Sequence, residues 1–86
     1  MICYRLYTED VQRDAVLELA DRYFSGYTVL IATGAWRGKH EPSLILEILA
    51  YENDKAAVTS LACDIKILNK QESVLVSQNA VQEFLI

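Results

Sequence analysis

Apolar and polar positions along the chain alternate between a period of two residues and a period near 3.6. Residues 2–7 alternate and contain aromatic and β-branched side chains, which predicts a strand. From Val11 to Tyr23 the apolar residues form one helical stripe, which predicts an amphipathic helix. We expect the helix to begin at residues 8–10, whose hydroxyl and carboxylate oxygens can accept hydrogen bonds from its first N–H groups. We expect Gly26 to end it in the left-handed conformation.

The middle of the chain predicts a hairpin. Residues 27–33 are nearly all apolar and residues 43–51 are mostly apolar, so both segments indicate strands. Residues 34–42 contain most of the turn-forming and polar groups, and we expect them to form a long tip between the two strands.

The last third of the chain predicts a second helix and a fourth strand. Residues 52–54 are a helix-start signal, residues 57–68 have helical spacing, and Asn69 can end the helix in the left-handed conformation. Residues 73–77 indicate a short strand. Residues 78–86 suit either a short helix or an added strand, and we expect this apolar tail to dock on the domain or at an oligomer interface.

This order of elements, β-α-β-β-α-β, predicts one ferredoxin-like α+β domain over residues 1–86. Its antiparallel four-stranded sheet would carry both helices on one face. A chain of 86 residues is too short for a second core. The hairpin strands carry apolar side chains on both faces, which favours burial of the open face in a homo-oligomer such as a dimer or a trimer of dimers. The alternative is that the tail covers this face.

Charge and cysteine content narrow the function classes. The formal net charge of -4 argues against duplex nucleic acid as a partner, but a small anionic ligand needs only a few local donors. No apolar run approaches the length of a membrane span, and no signal peptide precedes the first strand. We therefore predict a cytoplasmic protein without a membrane partner, with Cys3 and Cys63 as reduced, buried thiols; a disulfide is the alternative.

The predicted hairpin tip concentrates the candidate binding chemistry. Arg37 and Lys39 can hold phosphate oxygens, Gly38 allows close backbone approach, and Trp36 offers a face for a base. His40 lies beside them. The alternative is a solvated tip whose tryptophan packs against a helix or a neighbouring subunit.

A second candidate segment joins the second helix to the fourth strand. The amides of Asn69 and Gln71 can bind a base edge or a ribose, although simple helix termination is the alternative. In this fold the segment and the hairpin tip need not be adjacent within one subunit, but they can meet across an interface.

Catalytic and metal chemistry are poorly supported. His40 is the one histidine and has no partners for a nucleophilic triad. Glu41 and Glu47 could act as an acid–base pair, but Glu47 is equally explained as an ion-pair partner of Arg5 on an adjacent strand. We therefore predict no enzyme activity, no catalytic residues, no metal site and no cofactor.

Several segments together resemble a group of small phage-encoded proteins, the first-described type of Thoeris anti-defence sponge. They are residues 4–9, 26–39, 41–44 and 69–76, which include Gly34-Ala35-Trp36-Arg37-Gly38-Lys39 and Asn69-Lys70-Gln71-Glu72-Ser73. Members of that group carry a longer helical C-terminus with arginines, whereas residues 81–86 here contain no cation.

The resemblance implies a phage protein that acts in the host cytoplasm. It would bind cyclic ADP-ribose isomers or cyclic trinucleotides at subunit contacts and sequester them without cleavage. Trp36, Arg37, Gly38, Lys39, His40, Asn69 and Gln71 are the predicted ligand-binding residues. Two alternatives remain: a protein–protein inhibitor of a host defence system, and a small dimeric α+β-barrel ligand-binding protein.

Overall fold

The computed structural model describes residues 1–86 as one four-stranded antiparallel sheet and two helices. The sheet order is β2-β3-β1-β4, which is the ferredoxin-like arrangement, so the predicted fold class is confirmed. The elements are β1 (Ile2–Glu9), α1 (Arg13–Tyr23), β2 (Thr28–Trp36), β3 (Lys39–Ala50), α2 (Lys55–Asn69) and β4 (Leu75–Ala80), with a 3-10 turn at Glu52–Asp54 before α2.

The core lies between the two helices and the central strands β1 and β3. Leu6 pairs with Leu46, and Tyr4 pairs with Ile48, so alternate residues of both strands share the helix-covered face. The helices meet this face with apolar side chains, and burying each one contributes about 1.5–3 kcal/mol. The largest fully buried side chains are Tyr4, Leu6, Val16, Leu44, Leu46, Ile48, Val58, Leu61 and Ile65.

The β2–β3 hairpin is longer and tighter than the sequence predicted. Strand pairing continues to Trp36 and Lys39, which leaves a two-residue turn at Arg37 and Gly38 in place of a loop over residues 34–42. Pro42 is tolerated because it lies one residue before the pairing of β3 with β1 begins, at Ser43; its carbonyl accepts a hydrogen bond from the Asp10 N–H at 3.0 Å, and no N–H is needed there. Polar side chains do not prevent strand formation here because they remain outside the core.

The predicted helix ends are wrong in three places. Helix α1 begins at Arg13, and Asp10 forms an ion pair with Arg13 (Nη2–Oδ2 2.5 Å), which holds the pKa of the Asp10 carboxyl below its usual value. The helix ends at an extended Phe24, so Gly26 has no capping role. Helix α2 includes Asn69, and the left-handed residue is Lys70.

The predicted tail, residues 78–86, docks on its own chain only in part, because residues 78–80 belong to β4 and Glu83 Oε2 lies 3.7 Å from the Met1 ammonium nitrogen. Strand β4 runs from Leu75 to Ala80, later than the predicted 73–77, and residues 81–86 form neither helix nor strand. Val81 donates a backbone hydrogen bond to Met1 (3.0 Å). The last three side chains, Phe84, Leu85 and Ile86, are exposed. Docking of this tail on a second copy stays a prediction.

The open face of the sheet carries one ion pair among apolar side chains. Arg5 Nε donates to Glu47 Oε2 at 2.9 Å, as the ion-pair interpretation of Glu47 predicted, and this bond raises the pKa of Arg5. Leu30, Leu49 and Leu75 are exposed on the same face. Arg5 and Glu47 compensate each other's charge, so the middle of the face is close to neutral, whereas Glu9 and Glu41 carry negative charge at the end nearest the hairpin turn.

Two further expectations concern the state of the cysteines and the absence of a membrane-spanning helix. Both cysteines are free; Cys3 is buried but Cys63 is exposed, so the expectation of two buried thiols is wrong for Cys63. Neither helix has the length and apolar content that crossing a membrane requires.

Candidate functional site

The hairpin turn presents Arg37 in a left-handed backbone conformation. Its φ is 51°, and Gly38 follows with a φ of 81°, the pattern of a tight turn that matches the twist of the two strands. The Arg37 guanidinium lies 5.5 Å from the centre of the Trp36 ring, within cation–π distance. The turn therefore holds an aromatic face and a cation side by side.

An ion pair connects this turn to the segment between α2 and β4. Arg37 Nη2 donates to Glu72 Oε1 at 3.1 Å. Both side chains are largely exposed, at 70% and 65%, so the pair contributes at most about 1 kcal/mol. Its importance is geometric, because it brings the two candidate segments together within one chain.

The Gln71 amide anchors the segment between α2 and β4 to the end of β1. Its Oε1 accepts hydrogen bonds from the Thr8 hydroxyl, from Asn69 Nδ2 (2.9 Å) and from the Glu9 backbone N–H (3.2 Å). Its Nε2 donates to the Ser73 carbonyl at 3.0 Å. Both Oε1 and Nε2 already form hydrogen bonds within the protein. If Gln71 binds a ligand as predicted, some of these hydrogen bonds have to be replaced by hydrogen bonds to the ligand.

Asn69 lies behind Gln71 and has one unused acceptor. Its Nδ2 also donates to Thr8 Oγ1 at 3.2 Å, while its Oδ1 is buried without a hydrogen-bond partner. A buried acceptor without a partner is uncommon in folded proteins. Ligand binding by Asn69 stays a prediction.

The hairpin and the α2–β4 segment enclose a cavity of about 580 Å³, which we call the hairpin–junction cavity. This volume is in the range of small-molecule sites. Gly34 is part of its wall, and a Cβ at Gly34 would collide with the Ser43 hydroxyl. The lining residues are Tyr7, Thr8, Glu9, Ala32, Thr33, Gly34, Ala35, Trp36, Glu41, Ser43, Ile45, Lys70, Gln71, Glu72, Ser73 and Leu75.

The charges of the cavity lining are mainly negative. Glu9, Glu41 and Glu72 contribute carboxylates, and Lys70 contributes the one ammonium group. Glu72 is compensated by Arg37, whereas Lys70 forms no ion pair. These carboxylates are not grouped as a metal site. The cavity therefore offers charges of both signs, with negative charge in excess.

The predicted site residues divide between the cavity and its surroundings. Trp36 and Gln71 line it, and Arg37 reaches it through Glu72. Gly38, Lys39 and His40 are exposed beyond the lining, at the turn and the start of β3.

Sequence reasoning missed several lining residues with polar or aromatic side chains, among them Tyr7, Thr8, Glu9, Lys70 and Glu72. These five belong to the segments that carried the family resemblance, at residues 4–9 and 69–76. The signal was therefore present, but no spacing rule indicated that these two segments meet.

A second hollow of about 540 Å³ lies at the start of α1, lined by residues 10–15. It is more open than the first and is formed by one continuous segment. Its charged groups include Asp10 and Arg13, which already pair with each other. The hairpin–junction cavity, built from several separate segments, is the better candidate site.

Comparison with known proteins identifies the fold but no family. The chain matches no protein-family profile, and no curated protein matches it. A solved structure of a DUF3240 family protein from Shewanella baltica has a TM-score of 0.77 at 14% identity, and the match covers 99% of this chain and 94% of that chain.

Two further similar structures are those of a SAM lyase and of a protein bound to nucleotides. A phage SAM lyase in its apo state has a TM-score of 0.72 at 19% identity, covering 91% of this chain and 78% of that chain. A nitrogen regulatory PII-like protein, CPII, from Thiomonas intermedia was solved with ADP, AMP and bicarbonate. It has a TM-score of 0.69 at 15% identity, covering 99% of this chain and 93% of that chain. At these identities the likeness shows the α+β fold, which is consistent with a protein that binds small ligands.

Proposed function

We propose that this protein binds an adenosine-bearing small molecule in the hairpin–junction cavity. The observation that carries the proposal is the lining, which combines the face of Trp36 with hydrogen-bonding groups and charges of both signs. Adenine stacks well on an aromatic face, and small-molecule sites commonly combine such faces with a few polar groups. The comparisons support this ligand class, because S-adenosylmethionine (SAM), ADP and AMP all contain adenosine.

The charges of the lining favour SAM as the first candidate ligand. Its sulfonium centre is a cation, and carboxylates outnumber the single ammonium group on the lining. Opposite charges attract more strongly in a partly desolvated cavity than in water. The phosphates of a nucleotide would instead meet repulsion from Glu9 and Glu41.

The second candidate is the function implied by the sequence resemblance, sequestration of cyclic nucleotide immune signals without cleavage. Arg37 and Lys39 favour this candidate, because both are exposed cations, one in the turn and one at the start of β3, and both can bind phosphate oxygens. Glu72 weakens it, because its carboxylate already occupies Arg37. Ligand binding would have to release that pair.

The two candidates differ in what happens to the ligand. A sponge keeps the ligand intact, in agreement with the prediction that the chain is not an enzyme. With SAM, a cavity carboxylate can also accept a proton from the carbon one bond beyond the carbon attached to sulfur. The electron pair left behind forms a carbon–carbon double bond as the carbon–sulfur bond breaks and the neutral thioether leaves, so cleavage is the alternative outcome. Either activity would remove a small molecule from the cytoplasm of an infected cell, as an anti-defence phage protein would.

We also propose that the active form is a homo-oligomer. The middle of the open sheet face is apolar and nearly neutral, although the chain as a whole carries a net charge of -4. Two copies can therefore meet there without strong repulsion, and an exposed apolar face of this kind is commonly a contact surface.

Calorimetry with SAM, ADP, a cyclic ADP-ribose isomer and a cyclic trinucleotide tests the proposal. Wild-type protein should bind at least one of these, and Trp36→Ala should weaken binding about tenfold or more through lost stacking. Trp36→Phe should retain most of the affinity. Phe84→Ala is the matched control, because Phe84 is exposed on the tail, away from the cavity lining.

The bound ligand is then released by heat and examined by chromatography. Intact ligand supports sequestration, whereas breakdown products show an enzyme. Absence of binding to all four compounds, or equal binding by wild type and Trp36→Ala, would exclude the proposed site.

A further inference from the structure

Lys70 has an unusual backbone for its residue type. It follows α2 directly with φ 54° and ψ 41°, the left-handed conformation in which glycine and asparagine are favoured. A residue with a Cβ and no local side-chain hydrogen bond is disfavoured there by about 1 kcal/mol or more. Strained positions of this kind often coincide with functional sites, because the side chain has a use that outweighs the strain.

The side chain of Lys70 is free to act on a ligand. It lies on the lining of the hairpin–junction cavity, is exposed, and forms neither an ion pair nor a hydrogen bond. By contrast, the guanidinium groups of Arg5, Arg13 and Arg37 are each paired with a carboxylate. Lys70 is thus the one unpaired cation among the residues that line the cavity.

We infer that Lys70 holds the anionic group of the ligand, a carboxylate or a phosphate, and so sets the polarity with which the ligand enters the cavity. The inference rests on the proposed function. An ammonium group binds either anion as a point charge. Glu9 and Glu41 leave the rest of the lining negative, so an anionic group is accepted beside Lys70 and disfavoured elsewhere in the cavity.

Four probes separate the possible contacts: adenosine, decarboxylated SAM, SAM and ADP. Adenosine has no anionic group, decarboxylated SAM keeps the sulfonium but lacks the carboxylate, SAM has the carboxylate, and ADP has phosphates. Affinities are measured by calorimetry for wild type, Lys70→Asn, Lys70→Arg and the control Lys55→Gln. Lys55 is an exposed lysine at the opposite end of α2, outside the cavity lining.

Lys70→Asn should weaken the binding of the anion-bearing probe about tenfold, which corresponds to one charge-assisted hydrogen bond. Its affinity for adenosine and decarboxylated SAM should stay within about twofold. Lys70→Arg should retain binding, and Lys55→Gln should match wild type. A loss confined to SAM identifies a carboxylate, and a loss confined to ADP identifies a phosphate.

Thermal unfolding distinguishes a ligand contact from a structural role. Asparagine tolerates the left-handed conformation better than lysine, so Lys70→Asn should raise Tm by about 4 °C while affinity falls. Unchanged affinity for SAM and ADP, or equal losses for all four probes, overturns the role of Lys70 and leaves the proposed function standing. Failure of wild type to bind any of the four overturns the role of Lys70, and failure to bind the two cyclic nucleotides as well overturns the proposed function.

Discussion

Arg37 and Glu72 lie 35 positions apart in the sequence, yet their Nη2 and Oε1 atoms are 3.1 Å apart. This pair joins the turn of the β2–β3 hairpin to the connection between α2 and β4, where Glu72 lines the hairpin–junction cavity. Both side chains are largely exposed. We therefore expect this ion pair to affect the mobility of the hairpin tip more than the free energy of unfolding.

Glu72→Gln should loosen the tip with little loss of stability. The pair is screened by water, so the free energy of unfolding should fall by less than about 1 kcal/mol. Amide hydrogen exchange at residues 34–41 should become faster, and exchange in the core strands should not change. Glu52→Gln, an exposed carboxylate outside the cavity, is the control. Unchanged exchange at the tip would show that the ion pair does not restrain it.

Gln71→Leu should destabilise the protein by about 1–3 kcal/mol. The substitution removes the acceptor shared by Thr8, Glu9 and Asn69 and leaves buried donors unpaired. Urea unfolding measures the loss. Gln78→Leu is the control, because Gln78 is an exposed residue of β4 that makes no side-chain hydrogen bond. Equal stability of the two variants would contradict the anchoring role of Gln71.

Leu49→Glu should convert the proposed oligomer into monomers. Leu49 is 46% exposed on the open sheet face, and a carboxylate buried at a subunit contact would lack a partner. Light scattering coupled to gel filtration should show the mass of an oligomer for wild type and of a monomer for the variant. Ile67→Glu is the control, on the exposed face of α2. A monomeric wild type would exclude this contact.

Asp21→Asn should lower the pKa of Tyr27. The Tyr27 hydroxyl donates to Asp21 Oδ1 at 2.6 Å, and this hydrogen bond, with burial and the nearby negative charge, raises the pKa of Tyr27 to about 12. Tyrosine in the unfolded chain ionises near pH 10, so stability is retained below about pH 10 and lost as the pH rises toward about 12. The variant should lose less stability over this interval.

NMR titration of the tyrosine ring carbons measures that pKa directly. Asp64→Asn is the control, since Asp64 accepts a hydrogen bond from Tyr23 and raises the pKa of Tyr23 instead. A Tyr27 pKa that is the same in wild type and in Asp21→Asn would contradict the assigned cause.

Local amino-acid composition led to a wrong prediction at the hairpin tip, where a long loop was expected and the backbone forms strands. Residues 34–42 have the composition of a loop, yet ladder hydrogen bonds extend both hairpin strands to a two-residue turn. Residues 8–10 were predicted to start the first helix and Asn69 to end the second. In the structure Thr8 belongs to β1, and Lys70 is the residue in the left-handed conformation. End signals of this kind are weak because several neighbouring residues can satisfy the same backbone groups.

The sequence by itself determined the order of elements and the fold class. The periods of residues 2–7 and 57–68 are local properties of strands and helices, and they predict a sheet covered on one face. The sequence also identified Trp36, Arg37 and Gln71 as part of the candidate site.

Only the tertiary structure decided that the hairpin and the α2–β4 connection meet in one chain. Their contact depends on the sheet order β2-β3-β1-β4 and on the register of each strand pair. That register places Glu9, Glu41 and Lys70 around one cavity and makes its lining mainly negative. The physical reason is that local periodicity specifies which face of each element is buried, whereas distant side chains come together only when the whole core packs.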